Sequence, residues 1–255
     1  MRINIALGMT PNWFEYGKIT IASILNHASE SDEYYFYIMA NNFEENDIAG
    51  FNKLQKLRQF KIEFIKIDDS YFDGAIHDWL GVSSSYRLRL STLVKESKVL
   101  YLDSDIIAIQ DVAELYKIDV TDYYLAAVED KLSFVMKPRI NMPPEGDYFN
   151  GGVQLINLDK FREDNLEQII MQKLRESDSY TDQDVINDVC RDKILSLPLK
   201  FNLATTMHGY HSRREEFLET LKNPVLAHFT IKPWEESNDP FTKEWFDYKN
   251  IIENL

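Results

Sequence analysis

Short segments that are apolar throughout, or that alternate between apolar and polar residues, recur in the first hundred positions, a pattern typical of β-strands. These segments are residues 3–9, 34–40, 61–67 and 98–103. The stretches between them carry apolar residues at helical spacing. They are residues 14–28, 43–58 and 84–95. This alternation predicts an α/β fold in which a mostly parallel central sheet is flanked by helices on both faces.

The pattern changes beyond residue 105, where strands and helices no longer alternate regularly. The predicted strands here are residues 123–130, 150–158 and 224–230, and the predicted helices are residues 159–176, 182–191, 212–222 and those from about 240. Residues 136–147 contain three prolines and a glycine. They predict a long loop of the kind that often covers a site. Because no linker or repeat interrupts the chain, we expect a single domain over residues 1–255.

The composition indicates a folded globular protein, with 44% hydrophobic and 27% charged residues and none of the excess of Pro, Gly or charge that marks disorder. The formal net charge is -14. It argues against a sequence-independent nucleic-acid partner, because neutralising phosphates needs a basic surface. An anionic ligand would need a metal ion or a few local cations to hold it against this negative field.

Neither a signal-peptide pattern nor a run of the roughly 18 apolar residues that cross a membrane is evident. We therefore expect a cytoplasmic protein. Cys190 is the single cysteine, so an internal disulfide is excluded and a buried structural thiol is expected. Nothing in the sequence indicates the oligomeric state.

Two carboxylates, Asp103 and Asp105, follow the fourth predicted strand. In an extended segment they would project to the same side about 6.6 Å apart, and at an effective dielectric of about 20 they would repel each other by ~2.5 kcal/mol. A divalent cation would remove this repulsion, although Asp and Ser also favour plain turns after strands. The carboxyl ends of parallel strands line one edge of a sheet, so we expect these carboxylates to lie beside residues 8–12.

Five segments occur in an order and at a spacing that resemble glycosyltransferase family 8. They read YLDSD, DVAELY, FNGGVQLINL, YTDQDVIN and HFTIKPW, and the resemblance extends from residue 3 to about residue 235. That family includes bacterial lipopolysaccharide galactosyl- and glucosyltransferases and glycogenin. The resemblance implies a single-domain GT-A fold, which is Rossmann-like. It also implies a nucleotide-binding part to about residue 105, a sugar and acceptor part at about 106–235 and a C-terminal helical extension at 236–255.

The activity implied by the resemblance is the retaining, metal-dependent transfer of a hexose, glucose or galactose, from a UDP-sugar to a glycan or lipid-linked saccharide. The implied ligands for Mn²⁺, with Mg²⁺ as the alternative, are Asp103, Asp105 and His228. The implied catalytic residues are Gln183, Asp182 and Asp130. The implied residues that bind the donor are Ala6, Leu7, Thr10, Asn12, Arg87, Ser104, Asn150, Gly151 and Lys232.

Without the resemblance, most of these residues have plainer interpretations. His228 in an apolar strand would be a core residue, and Lys232 a solvated surface group. Asp182 would cap the N-terminus of a helix, and Asp130 would close a strand-end turn. Arg89 would be the exposed neighbour of Arg87 on a helix.

The sequence departs from the family pattern at several points. Gly8 stands where bacterial members often carry an aspartate that reads uracil, so backbone groups near Ala6 and Leu7, with Thr10 or Asn12, are left to read the base. The last motif is two residues shorter than usual and lacks its glycine, and the final residues resemble a membrane-associating tail only weakly. We expect at most weak peripheral association with the inner membrane face.

Two alternative functions stay open on the sequence alone. A sugar-nucleotide binding protein that has lost transfer is supported by Gly8 and by the shortened last motif. A nucleotidyltransferase of the same sheet type is the other, although such enzymes need a basic, glycine-rich loop after the first strand. The segment LGMTPNWF contains no basic residue.

Overall fold

The computed structural model describes residues 1–76, 81–205, 213–229, 231–233 and 239–255. The first part of the chain folds into alternating strands and helices, as predicted. These elements are β1 (Arg2–Gly8), α1 (Phe14–His27), β2 (Glu33–Ala40), α2 (Glu45–Lys53), β3 (Lys61–Lys66), α3 (Leu90–Leu93) and β4 (Lys98–Leu102). The four predicted strands are confirmed, with ends that differ from the prediction by at most one residue.

The predicted helix at residues 84–95 is wrong in type. Residues Val82–Arg89 form a 3₁₀ helix, and only Leu90–Leu93 are α-helical. Serines in the segment VSSSYRLR compete with the backbone for hydrogen bonds, and the Arg87 Nε–H donates to the Ser84 carbonyl at 2.8 Å. That carbonyl is the acceptor that an α-helix would use four residues later.

The second part of the chain is more irregular. Its elements are β5 (Ile106–Ala108), α4 (Ala113–Tyr116), β6 (Leu125–Glu129), α5 (Ser133–Met136), β7 (Phe149–Asn157), α6 (Leu158–Glu163), α7 (Leu166–Arg175), α8 (Asp182–Val189), β8 (Ile194–Ser196), β9 (Leu203–Ala204), α9 (Arg214–Thr220), β10 (Leu226–His228) and α10 (Thr242–Glu253). The predicted helix at 159–176 is two helices, because Asn165 adopts a left-handed conformation with φ 52° between them. The short strands β5, β8 and β9 were not predicted.

Seven strands of the described residues form the central sheet, in the order β3-β2-β1-β4-β7-β6-β8. Strands β3, β2, β1 and β4 are mutually parallel. Strand β7 runs antiparallel to both of its neighbours. The predicted mixed, mostly parallel sheet is confirmed. From β1 the chain adds β2 and β3 on one side of the sheet and then β4 on the other side. Open α/β sheets bind ligands at such a point, where the order of the strands reverses.

A second, three-stranded sheet has the order β5-β10-β9. Strand β10 pairs antiparallel to β5, with His228 opposite Ile106, and parallel to β9, with His228 opposite Ala204. Because β5 follows β4 after a short turn, this small sheet carries residues from near the C-terminus to the carboxyl edge of the central sheet.

The hydrophobic core consists of two main clusters that involve opposite faces of the central sheet. On β1, Ile3, Ile5 and Leu7 belong to one cluster and Ala6 to the other. This follows from the alternation of side chains along a strand. Cys190 is buried, as predicted, and burial raises the pKa of its thiol to about 12.

The segment predicted as a loop, residues 136–147, is partly helical. A 3₁₀ helix at Lys137–Ile140 follows α5, and Ile140, Met142 and Tyr148 form a small apolar cluster. The Tyr148 hydroxyl donates to Asp184 at 2.6 Å, which fastens the end of the segment to α8. Whether the segment closes over a ligand stays a prediction, as does the division of the chain into three parts.

The last helix packs against the first. Trp245 in α10 lies 6.1 Å from Tyr16 in α1, measured between ring centroids. The Tyr248 hydroxyl lies 3.0 Å from the His27 ring nitrogen Nε2. Within the residues that the structure describes, no helix combines the length and the apolar character needed to span a membrane.

Candidate active site

Three predicted metal ligands converge at the carboxyl edge of the central sheet. Asp103 and Asp105 lie in the turn that joins β4 to β5, and His228 is the last residue of β10. One ligand atom from each lies within 4.8 Å of the others. The predicted convergence is therefore present, but the expected extended conformation of residues 103–105 is wrong, because a turn brings the two carboxylates together.

Backbone hydrogen bonds fix this turn on both sides. The Asp103 N–H donates to the Gly152 carbonyl at 2.9 Å, and the Phe229 N–H donates to the Asp105 carbonyl at 3.1 Å. The first bond ties the turn to β7 and the second ties it to the residue after β10. The three side chains are thus held by strands that are distant in sequence.

The Asp105 carboxylate lies between the His228 ring and the Lys232 ammonium. Its Oδ1 is 3.3 Å from His228 Nε2, and its Oδ2 is paired with the Lys232 ammonium. Burial alone would raise the pKa of Asp105, but His228 and Lys232 outweigh this effect and hold the pKa below its usual range. The same pairing raises the pKa of His228, although burial opposes it.

The tautomer of His228 follows from its second ring nitrogen. Nδ1 lies 3.0 Å from the Asn202 Oδ1 oxygen, and the Asn202 Nδ2 group donates to Asn150 at 2.8 Å. With its amide nitrogen engaged in that way, Asn202 accepts the proton of His228 Nδ1. In the neutral ring Nε2 then carries the lone pair and faces Asp105, which is the arrangement of a metal-binding histidine.

The space between these ligands is open because residue 152 is glycine. A Cβ atom at Gly152 would lie 2.5 Å from His228 Cε1 and 2.9 Å from Asp103 Oδ2. The buried Oδ1 atom of Asp105, although 3.3 Å from His228 Nε2, accepts no hydrogen bond from any of the described residues. Two carboxylates and an imidazole suit Mn²⁺ well and Mg²⁺ less well. The residues present therefore fit a divalent cation.

A hydrogen-bonded network joins this cluster to the predicted catalytic residues. Asn150 donates to Asp130 Oδ2 at 2.9 Å and accepts from Asn202. Gln183 accepts from the Gly151 N–H at 2.8 Å, and its amide nitrogen lies 3.3 Å from Asp130 Oδ2. Asp130 is thus fixed by two side chains, and it is buried. Asn202, which also contacts His228, joins the Asp130 carboxylate and the amides of Asn150 and Gln183 to the metal-ligand candidates.

Arg87 is a buried cation at the centre of the site. Its guanidinium pairs with Asp182 at 2.6 Å, donates to the Gly151 carbonyl and lies 3.7 Å from Asp103 Oδ1. Burial lowers the pKa of Arg87, but the carboxylates outweigh burial and the pKa is raised, so the group stays charged. Arg87 therefore links the metal-ligand candidates to the start of α8.

Two plainer interpretations from the sequence are wrong. Thr181, not Asp182, caps α8, since its side chain accepts from the Asp184 N–H. Arg89 is not exposed, because its guanidinium pairs with Glu167 at 2.7 Å and lies 3.7 Å from the centre of the Tyr71 ring.

The other predicted donor-binding residues lie at or near the end of β1. Ala6 and Leu7 are fully buried within the sheet, paired with Tyr37 and Ile38 of β2. Beyond the strand, the Thr10 hydroxyl donates to the exposed Asn12 side chain. Ser104 is buried in the turn between β4 and β5, and its carbonyl accepts from Thr20 at 3.1 Å. Their roles stay predictions.

Three residues that support the site were not found from the sequence. Asn202 orients His228, Tyr101 donates to Asp103 at 2.9 Å, and the Tyr148 hydroxyl lies 3.3 Å from the Gln183 amide. Asn202 and Tyr148 act on side chains that are distant in sequence, and spacing along the chain carries no signal for those contacts. Tyr101 lies two residues before Asp103, so the i, i+2 spacing could have indicated that contact.

Comparisons with known proteins identify the family of this chain. The sequence model of Glycosyl transferase family 8 matches residues 4–238. A putative glycosyltransferase of Haemophilus influenzae is 31% identical over 89% of this chain and 71% of its own length. The lipopolysaccharide 1,2-glucosyltransferase of Escherichia coli is 26% identical over 95% of this chain and 76% of its own length.

The structure is also similar to that of a solved enzyme. The crystal structure of the galactosyltransferase LgtC in complex with donor and acceptor sugar analogs superposes with a TM-score of 0.83, at 23% identity, over 99% of this chain and 97% of LgtC. This similarity confirms the predicted GT-A fold.

Proposed function

The chain belongs to glycosyl transferase family 8, and from this premise we propose that it transfers a hexose from a UDP-sugar to a glycan or lipid-linked saccharide, with retention of the anomeric configuration. The observation that carries the proposal is the convergence of Asp103, Asp105 and His228 beside the network of Asp130 and Gln183. A cation site next to fixed carboxylate and amide groups suits a ligand that has a diphosphate at one end and a sugar at the other.

The cation site would hold the diphosphate. Asp103, Asp105 and His228 would bind Mn²⁺, with Mg²⁺ as the alternative. The chemistry that such a cation supplies when bound is Lewis-acid stabilisation of the departing diphosphate. Lys232, which now pairs with Asp105, would turn its ammonium toward the phosphate oxygens and offset negative charge there.

The sugar would lie on the other side of Arg87. Asp182 and Asp130 are oriented carboxylates whose remaining lone pairs suit sugar hydroxyl groups. Asn150 and the backbone at Gly151 would complete this part of the site. Arg87 holds Asp182 in place through the ion pair between their side chains.

Bond changes in the proposed transfer are few. The bond between the anomeric carbon and the diphosphate oxygen breaks, and the acceptor oxygen forms its bond on the face that the diphosphate leaves. The acceptor proton passes to the departing diphosphate. Gln183 is a neutral amide and a poor nucleophile, and its oxygen is engaged by the Gly151 N–H. It would therefore position the sugar and stabilise positive charge at the anomeric carbon.

We propose glucose or galactose as the transferred sugar because similar proteins are named as glucosyl- or galactosyltransferases. The Escherichia coli relative is a lipopolysaccharide glucosyltransferase, and LgtC is a galactosyltransferase crystallised with donor and acceptor sugar analogs. A saccharide or glycolipid acceptor is proposed on the same ground. The proposed location is the cytoplasm, with at most weak association with the inner membrane face.

The proposal is tested by offering UDP-glucose, UDP-galactose, UDP-N-acetylglucosamine and GDP-sugars with Mn²⁺ and measuring hydrolysis and thermal stabilisation. A UDP-hexose should be hydrolysed, and it should raise the melting temperature, because ligands that bind the folded state stabilise it. NMR of the first product, with Mg²⁺ in place of Mn²⁺, should show the anomer of the donor. Binding without hydrolysis or transfer would favour a binding protein, and an inverted anomer would contradict the retaining mechanism.

A further inference from the structure

A second hydrogen-bonded group lies along the same edge of the sheet, away from the cation site. Asn41 directly follows β2, and Asp69 follows β3 by a few residues. The Tyr86 hydroxyl donates to Asp69 Oδ1 at 2.6 Å, and the Asn41 amide donates to Asp69 Oδ2 at 2.7 Å. The Asp69 carboxylate is only partly buried, so the protein holds its orientation while leaving it open to a ligand.

A series of neighbouring residues lies between this group and the cation site. Tyr101 donates to Asp103 at 2.9 Å. The Tyr101 hydroxyl lies 3.6 Å, and the Tyr86 Cβ atom 3.1 Å, from the position that a Cβ atom would take on Gly8. Tyr86 then reaches Asp69 through its hydroxyl. The series runs from β4 across the end of β1 to the ends of β2 and β3, so a nucleoside that extends along this edge of the sheet from a diphosphate at Asp103 would approach Asp69.

Gly8 itself offers no side chain for this purpose and has no room for one. A Cβ atom there would also lie 3.0 Å from the Ser83 carbonyl, so a larger residue would have to displace backbone. Beyond β1, the Thr10 hydroxyl is bonded to the Asn12 side chain, and further candidates to contact the base lie at the neighbouring strand ends. Asp69 and Asn41 are polar side chains at the two neighbouring strand ends.

The hydrogen-bonding capacity of Asp69 fits one class of base. An ionised carboxylate accepts hydrogen bonds only, and each oxygen takes more than one. Each Asp69 oxygen accepts one bond from the protein, which leaves capacity for a donor from a ligand. Uracil presents an N–H at position N3, whereas cytosine presents an acceptor lone pair there that a carboxylate would repel. Burial and the bond to Asp69 raise the pKa of Tyr86, so its hydroxyl stays a donor.

We propose that Asp69, oriented by Tyr86 and Asn41, accepts a hydrogen bond from the base of the donor nucleotide and makes the site selective for uracil over cytosine. The inference rests on the proposed function, because it needs a nucleoside diphosphate at the cation site. Asp69 is here a specificity residue that contacts the ligand, and Tyr86 and Asn41 are positioning residues.

The test compares UDP and CDP binding in the presence of Mn²⁺ by isothermal titration calorimetry. The parent should bind UDP at least about tenfold more tightly than CDP, the range expected for one hydrogen bond gained and one repulsion avoided. In Asp69→Asn the amide can present an N–H to cytosine, so UDP affinity should fall by about tenfold and the preference should disappear. The Tyr86 hydroxyl and the Asn41 amide can each donate or accept, which lets the network rearrange around the new amide.

Asp68→Asn is the matched control. Asp68 is exposed and accepts from the Ser70 backbone N–H at 3.0 Å and from its hydroxyl at 2.7 Å. The control removes the same charge one residue away and should leave the ratio of UDP to CDP affinity unchanged. Melting temperatures of both variants check that they fold.

Each other outcome decides against the inference. An equal fall of both affinities in Asp69→Asn would mean that Asp69 contacts a part that UDP and CDP share, such as the ribose, and unchanged affinities for both nucleotides would mean that Asp69 does not contact the nucleotide. If the parent bound no UDP with Mn²⁺, the proposed function itself would fail. If instead the parent bound UDP and the Asp69→Asn variant kept the preference for UDP over CDP, only the inference about Asp69 would fail.

Discussion

The Lys232 ammonium and the Asp105 carboxylate form an ion pair at the place where the three metal-ligand candidates meet. Lys232 also donates to the Phe229 carbonyl at 3.0 Å. It thus occupies one side of the carboxylate that a divalent cation would use. Binding of a cation to Asp105 and release of Lys232 toward the diphosphate are therefore expected to be linked.

Replacing Lys232 by methionine should strengthen the binding of Mn²⁺ alone. The cation would no longer displace an ammonium from Asp105, and an increase of about tenfold in affinity is expected, equivalent to ~1.4 kcal/mol. Turnover of the UDP-sugar should fall in the same variant, because the phosphate loses a cationic partner. Calorimetry without nucleotide measures the first effect.

Lys200→Met is the control, since Lys200 pairs with Glu114 on the surface. It should leave Mn²⁺ affinity unchanged. Weaker binding of Mn²⁺ in Lys232→Met would show that Lys232 supports the cation site and does not compete for it.

Gly152→Ala should abolish Mn²⁺ binding without unfolding the protein. The added methyl group would lie 2.5 Å from His228 Cε1 and 2.9 Å from Asp103 Oδ2, so it would push two ligands apart. Gly50→Ala provides the comparison, because Gly50 lies in α2 and a Cβ atom there meets only the end of the Lys18 side chain, at 3.6 Å. Calorimetry should show binding in Gly50→Ala alone. Normal Mn²⁺ affinity in both variants would count against the proposed ligand geometry.

Arg87→Met should destabilise the protein by ~3 kcal/mol, because it leaves the Asp182 carboxylate buried without its cation. Urea unfolding measures this change. Arg191→Met, at a more exposed ion pair with Asp188, should cost about 1 kcal/mol or less. The double variant Arg87→Met/Asp182→Leu should regain part of the lost stability. No recovery would show that Arg87 stabilises the fold mainly through contacts other than that ion pair.

The fold was largely predictable because its elements leave local signatures. Strands β1 to β4 are short apolar segments, and α1 follows helical spacing closely. The strands that were missed, β5, β8 and β9, contain two or three residues each, too few to show a period. They form only because neighbouring strands supply their hydrogen bonds, which is information that the local sequence does not contain.

The candidate site was predictable only through ordered motifs. Spacing along the chain placed Asp103 beside Asp105, but nothing local indicated that His228 would join them, since its partner strand β5 is more than a hundred residues away. The resemblance to the family supplied that residue. Supporting residues such as Asn202 lie outside the motifs, and only the three-dimensional structure reveals them.

The stability of the contact between α1 and α10 should depend on pH. Burial lowers the pKa of His27 from its ordinary 6.5, with Asp111 partly opposing, so the unfolded chain binds a proton more readily than the folded protein. The free energy of unfolding should therefore fall as the pH drops below about 6.5. In His27→Gln this part of the pH dependence should be absent, as measured by urea unfolding at several pH values. The same slope in parent and variant would exclude His27 as its source.

The central claim is that Asp103, Asp105 and His228 hold a divalent cation without which the UDP-sugar is not used. Its most direct measurement is the rate of UDP release from a UDP-hexose substrate in the parent and in Asp105→Asn, with Mn²⁺ and with EDTA. We expect the parent to lose activity in EDTA and regain it with excess Mn²⁺. We also expect Asp105→Asn to be at least about a hundredfold slower with Mn²⁺, while it still unfolds cooperatively at a melting temperature at or somewhat below that of the parent, because Lys232 and His228 lose their partner. A parent that works equally well in EDTA, or a variant as fast as the parent, would contradict the claim.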